Sequence, residues 1–308
     1  MQVLHELPRE PLAHDCALTV GTFDGVHRGH QALAETLRRE AASRGLQSAV
    51  LTFLDMPYCY FRPDDCPRLL TLAAEKSAAF ERLGIDNLII IPFGKRIAEQ
   101  AAADFVSRIL VHGLRMKLLV TGPDFALGKG RAGDVPALRA LGDEHGFTMT
   151  VLAGKLTDAG TAISSTRTRE CVESGDVVGA ARLLGHAFSL TGTVISGRQL
   201  GRTIGVPTIN VQPHPRKVVP GEGIYAVRAF LGDGSTPCRA VLSIGTNPTV
   251  GGSTLSIEFH VIGEEIAAPP HTARLEFVER LRDEWKFPDV ESLVAQMRRD
   301  IAQAQELL

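Results

Sequence analysis

Through the first 150 residues, short continuous apolar blocks alternate with longer stretches in which apolar positions recur three and four apart. The blocks Asp15–Val20, Gln47–Phe53, Asn87–Ile91, Lys117–Thr121 and Phe147–Leu152 predict strands buried on both faces. The stretches His30–Arg44, Leu72–Leu83, Ala101–Gly113 and Val135–Gly146 predict helices, the first stopped by Gly45. Regular alternation of this kind predicts an α/β doubly wound parallel sheet, whose ligands collect beyond the C-terminal ends of the strands. Near residue 185 the texture changes. Ser189–Ile195, Gly223–Phe230, Arg239–Ile244 and Leu255–Val261 are β-rich runs punctuated by Gly and Pro, and they predict an antiparallel β-barrel. From Asp289 to Leu308, Leu293, Met297, Ile301 and Ala304 share a helical face that is expected to pack back on that barrel. Two domains are therefore expected, residues 1–185 and 186–308.

With 308 residues and 44% hydrophobic content, the chain can bury a core in each domain. Its formal net charge of −2 supplies no general attraction to nucleic acid or to an anionic membrane, so any phosphate binding must be local. No apolar run reaches the roughly 18 residues of a spanning helix, and the first fifteen residues have neither a basic start nor an apolar h-region. A cytoplasmic location is expected. The cysteines Cys16, Cys59, Cys66, Cys171 and Cys238 are odd in number and form no C-x-x-C, which favours reduced thiols over disulfides or a zinc site.

The richest chemistry lies in Gly21–His30, where the first strand block turns toward a helix. A helix start offers unpaired N–H groups and a positive dipole end. Gly25 and Gly29 let phosphates approach the backbone, and His27 and His30 can donate charge-assisted hydrogen bonds. Taken alone, two histidines three apart are as readily a metal pair or ordinary surface residues. The loop Gly122–Asp134 contains a G-x-G-x-x-G string at Gly128, Gly130 and Gly133. That string does not open off a strand, and Gly128–Lys129 lacks the spacing and hydroxyl of a P-loop, so neither is a nucleotide fingerprint. Asp124 is suited to a ribose hydroxyl or to fixing the turn. In Ile163–Arg169, Ser164, Ser165 and Thr166 open a helix that runs through Glu173; capping explains them, while Arg167 and Arg169 add charge suited to a triphosphate or departing pyrophosphate.

The string His27-Arg-Gly-His30 resembles the H-x-G-H signature of the nucleotidylyltransferase superfamily, and Ile163–Arg169 resembles the I-S-S-T-x-x-R signature of its FAD synthetases. Gly122, Asp124, Phe125, Gly128, Arg131, Gly133 and Asp134 match the same branch. Further on, Gly197–Asn210 is similar to the G-x-x-L-G-R-x-x-G-x-P-T-x-N stretch of riboflavin kinases, where a glycine-rich turn reaches phosphates and Thr208 and Asn210 supply hard oxygens for Mg²⁺. Gly223–Ala226 and Gly245–Thr249 also match. In Leu255–Val261 the polar Ser256, Glu258 and His260 share one face; a strand glutamate is ordinarily solvated, but Glu258 aligns with the kinases' catalytic base.

Order and coverage, Leu18 to about Ile301, resemble the bifunctional bacterial riboflavin kinase/FAD synthetase family. The resemblance implies phosphorylation of riboflavin to FMN and adenylylation of FMN to FAD, with ATP and Mg²⁺, and neither nucleic acid nor membrane as partner. It implies catalytic roles for Glu258, His27, His30 and Arg167. It places ATP or phosphate on Gly21, Phe23, Gly25, Gly29, Asp124, Ser164, Ser165, Thr166, Gly197, Gly201 and Arg202. Flavin falls to Phe125, Arg131, Asn247 and Thr249, and the metal to Thr208 and Asn210. Two segments depart from the pattern. Leu54-Asp-Met-Pro57 stands where the family carries acid-Pro-His-Pro, and Gly263–Pro270 replaces an acidic and Leu-Tyr-Gly element. They leave two other readings: the same ATP machinery serving a modified flavin or another acceptor, or a flavin-binding sensor that has lost an activity.

Overall fold

The computed structural model describes residues 1–196, 205–249, 252–264, 266 and 268–308. It divides into two compact units, Met1–Ser165 and Thr166–Leu308. In the first, six strands form one parallel sheet: β1 (Gln2–Leu4), β2 (Cys16–Val20), β3 (Gln47–Phe53), β4 (Asn87–Ile91), β5 (Met116–Thr121) and β6 (Thr148–Val151), in the order β1-β4-β3-β2-β5-β6. β1 is an addition to the expected strands; three residues are too few for a periodicity to show. Alternate side chains of each central strand enter different cores, Leu18, Leu51 and Ile89 on one face and Ala17, Val50 and Leu88 on the other. That two-sided burial is why the strands read as unbroken apolar runs. The helices α1 (Arg28–Ser43), α2 (Ala73–Arg82) and α3 (Val135–His145) follow β2, β3 and the loop after β5, and Phe105–Gly113 is wound as a π-helix. Because the chain leaves β2 for β3 on one side and returns to β5 on the other, the sheet's switch point lies beside the C-terminal end of β2.

The second unit opens with α4 (Ser165–Glu173), whose first residue closes the unit before it, and α5 (Val177–Leu184). It continues as β7 (Ser189–Ile195), β8 (Ile209–Pro213), β9 (Gly223–Leu231), β10 (Cys238–Thr249), β11 (Gly252–Val261) and β12 (Thr272–Arg282). These close an antiparallel barrel in the order β7-β8-β11-β10-β9-β12. β8 and β12 add to the expected strands: one is only five residues long and ends on Pro213, and the other carries charges at five of its eleven positions. The tail forms α6 (Val290–Leu307), with Asp289 as its N-cap, and Ala304 packs with Ala226 and Ile262 of the barrel as expected.

The thiol expectation needs correcting. Cys59 and Cys66 form a disulfide. A short helix, Pro57–Phe61, and a 3₁₀ turn, Pro63–Asp65, fold the chain back so that two cysteines seven apart meet. Neither cysteine parity nor C-x-x-C spacing can register such a local closure. Cys16, Cys171 and Cys238 are free thiols, and burial together with Asp15 pushes the Cys16 thiol up to about 12.

Candidate active sites

The first site grows from the C-terminal end of β2. Gly21 N–H still donates to Leu51 O (3.1 Å), and then the chain kinks, with Phe23 (φ 48°) and Val26 (φ 41°) both in the left-handed region. Such positions cost on the order of 1–3 kcal/mol each and persist only where neighbours hold them. Here the holders are polar, with Asp24 buried and Thr71 and Ser165 partly so. Asp24 accepts from Thr71 N (3.0 Å), Gly25 N–H donates to Thr71 Oγ1 (3.0 Å), and the Ser165 hydroxyl donates to Asp24 O (2.8 Å). The helix starts at Arg28 rather than His30, which makes His27 its cap: Nδ1 accepts from His30 N at 3.4 Å. The two imidazoles stack with centroids 3.6 Å apart, and the Phe23 ring meets His30 edge-on at 5.1 Å. A Cβ on Gly29 would fall 3.2 Å from the His27 ring, so glycine there makes room for an imidazole.

Burial lowers the His27 pKa to about 4 against an opposing pull from Asp24, and burial, His27 and Lys76 hold His30 well below the ordinary histidine value. Both rings are thus neutral at pH 7, and a neutral imidazole N–H still makes a charge-assisted hydrogen bond where its acceptor is an anionic phosphate.

The remaining expected residues of this unit fall as follows. The Asp124 carboxylate pairs with Lys155 and its carbonyl accepts from Arg131 Nη2 (3.0 Å), while Phe125 packs half-buried on the sheet's core. A Cβ on Gly128 or Gly133 would strike Ala102 at 2.7 or 2.8 Å; these glycines serve close packing, consistent with excluding a nucleotide fingerprint. Asp134 caps α3. Met56 is buried at the start of the disulfide-closed segment, and Tyr60 and Phe61 of that segment meet Phe93 edge to face. Ser164 lies just before α4, and Thr166 and Arg167 lie in its first turn, in the second unit.

The second site sits in the barrel. β8 and β11 pair so that Asn210 stands opposite Glu258. Thr208 Oγ1 donates to Glu258 Oε2 (3.2 Å) and Ser256 Oγ to Oε1 (2.8 Å), fixing both carboxylate oxygens, while His260 Nδ1 meets Pro207 O at 2.8 Å. Thr208, Ser256, Glu258 and His260 line a cavity of about 260 Å³ whose other wall includes Arg282, Glu284, Trp285, Phe287, Leu293 and Met297. Arg282 grips the buried Asp300 through three hydrogen bonds (Nε–Oδ1 3.0 Å, Nε–Oδ2 3.2 Å, Nη2–Oδ2 2.7 Å) and lies 4.6 Å from the Trp285 ring centroid. The carboxyl of Glu284 is raised by burial and by Glu222. The sequence reading missed this wall. Leu293 and Met297 read as core, and Arg282–Phe287 has no periodicity; an aromatic pair among charges was the one signal available. Gly197, Gly201 and Arg202 lie outside the described residues, as do the side chains of Asn247 and Thr249.

Two sites on two units match two family models in that order, FAD synthetase over residues 9–167 and riboflavin kinase over residues 184–308. The chain belongs to the bifunctional riboflavin kinase/FMN adenylyltransferase family. The bifunctional riboflavin kinase/FMN adenylyltransferase of Escherichia coli K12 is 39% identical over 305 residues, covering 98% of this chain and 96% of that protein. The relative in Pseudomonas fluorescens is 37% identical (99% and 96% covered), and that in Bacillus subtilis 32% (97% and 94%). A crystal structure described as a macrolide-efflux protein from Streptococcus pneumoniae superposes with a TM-score of 0.89 at 27% identity, over 98% of each chain. Among the described residues of this family member, no helix is long and apolar enough to cross a membrane. The enzyme phosphorylates riboflavin to FMN and adenylylates FMN to FAD, using ATP for both.

Proposed function

We propose that the two activities divide near residue 186 and that each uses the residues its signature implies. In the adenylyltransferase, the FMN phosphate attacks the α-phosphorus of ATP, the bond to the β-phosphate oxygen breaks, and pyrophosphate leaves. His27 and His30 donate to the charge that develops there, and Ser164, Ser165, Thr166 and Arg167 hold the departing pyrophosphate. The stacked imidazoles at the head of α1 carry this reading. In the kinase, Glu258 takes the proton of the ribityl 5′-hydroxyl as that oxygen attacks the γ-phosphorus and ADP leaves. Its support is a carboxylate held through both oxygens and lining a cavity with an aromatic wall. The hydroxyl of Thr208 and the amide of Asn210, beside that carboxylate, form a hard-oxygen set that suits Mg²⁺, which when bound neutralises phosphate charge. The enzyme works in the cytoplasm, where ATP and riboflavin meet.

A crossed pair of variants tests the assignment. Glu258→Gln keeps size but cannot accept the proton, so FMN formation should fall roughly 10² to 10⁴-fold while FAD formation from supplied FMN survives. His27→Ala/His30→Ala should do the reverse, cutting FAD formation roughly 10²-fold or more. Near-normal turnover in either variant removes the corresponding residues from the mechanism.

A further inference from the structure

Lys76 belongs to no signature, yet it is 2% exposed and lies directly behind the histidine pair's turn. From the first half of α2 its ammonium donates to Thr22 O (2.7 Å), Phe53 O (3.0 Å) and Thr52 Oγ1 (3.2 Å), and Thr52 Oγ1 in turn donates to Thr22 O (3.0 Å). Thr22 O lies just past the end of β2, immediately before the left-handed Phe23, and Phe53 O ends β3, immediately before Leu54-Asp-Met-Pro57. One cation therefore ties together the two turns that leave the sheet at its switch point. A buried lysine is costly unless its donors are satisfied. Three donors meet three acceptors here; a methionine of similar length would take this donor from Phe53 O and leave Thr22 O and Thr52 Oγ1 only their bond to each other.

We infer that Lys76 is a positioning residue for adenylyl transfer: its ammonium clamps the strand-end carbonyls so that His27 and His30 are held stacked for the ATP phosphates. It touches no substrate. The inference rests on the reading of His27 and His30 as the phosphate-facing pair. Charged groups that act on Lys76 are Asp24 of the signature turn and Asp55 after β3, and on the side of α1 it faces His30. Burial lowers its pKa to about 8 against the pull of Asp24 and Asp55, so it remains a cation at pH 7, and its charge is one of the causes that keep His30 neutral.

The test compares Lys76→Met and Lys76→Arg in the full chain, with the kinase activity of the same molecule as the control for concentration and thermal unfolding followed by circular dichroism as the control for folding of the first unit. Lys76→Met should lose FAD formation roughly tenfold or more in kcat, keep FMN formation, and show the His30 ring titrating at higher pH by NMR, because a repelling charge has gone. Lys76→Arg, which keeps charge and donors, should recover FAD formation and the low titration. Parent-like FAD formation in Lys76→Met, or a loss that leaves the His30 titration where it was, overturns the inference. If Lys76→Met does not fold, Lys76→Arg decides: a retained rate and titration support the clamp, and loss of either in a folded protein overturns it. His27→Ala/His30→Ala run alongside separates the two levels, since a parent FAD rate there defeats the histidine reading itself, whatever Lys76 does.

Discussion

Burial of His27, 6% exposed, makes this protein sensitive to mild acid. Its folded pKa of about 4 lies below the ordinary histidine value of 6.5, so between those values the unfolded chain binds the extra proton and the native state does not. Stability is then complete above pH 6.5 and is lost as pH falls toward 4. The expected difference between pH 7 and pH 5 is roughly 2 kcal/mol from this residue. Chemical denaturation of the parent and of His27→Asn at both pH values measures it; an equal loss in the two proteins removes His27 as the cause. The neutral state also bears on catalysis. A neutral imidazole can gain charge when phosphates arrive, and so its interaction strengthens as charge accumulates instead of binding ATP equally throughout.

The helix α6 shows how a terminal element can be both a lid on a core and a wall of a site. Leu293, Met297 and Ile301 lie on the face that its apolar spacing presents, and that face borders the barrel cavity as well as the barrel. Asp300 fastens the helix: both its oxygens bind Arg282 at the end of β12, and Gln296 Nε2 donates a further bond to Oδ1 at 2.8 Å. Asp300→Ala leaves a largely buried guanidinium without its carboxylate, which should cost about 3–5 kcal/mol in the barrel unit. Riboflavin KM should rise with it, while FAD formation from FMN continues. Thermal unfolding read beside both activities checks this. Arg282→Met/Asp300→Leu should regain most of the stability, since packing replaces the pair, without regaining riboflavin affinity if Arg282 and Trp285 form the flavin wall.

Two units with separate cores and separate sites should function apart. Fragments beginning at residues 166 and 186 and ending at Leu308 should each make FMN from riboflavin and ATP and make no FAD. The longer one should unfold at higher temperature, because it keeps α4 and α5, whose Val172 carbonyl receives Gly221 N–H at 3.2 Å and whose residues pack against β12. A folded fragment from residue 166 without kinase activity, in contrast to the intact protein, would show that the sites depend on each other.

Periodicity and composition were enough for the strand–helix alternation, the barrel runs and the tail helix, because those patterns record which side chains a two-sided sheet or a closed barrel must bury. The short-range chemistry of Gly21–His30 and Ile163–Arg169 was legible for the same reason that it is local: a turn, a helix start and a handful of donors. What the chain could not display was anything made by the way its segments fold against one another, near or far in sequence. The Cys59–Cys66 closure, the wall formed by Arg282–Phe287 against α6, and the clamp of Lys76 on Thr22 and Phe53 each depend on which segments folding brings together. The charge state of the histidines belongs with them. Residue type sets an imidazole's ordinary pKa, but the low dielectric around His27 and His30 and the cation behind them exist only once the sheet, α1 and α2 have packed.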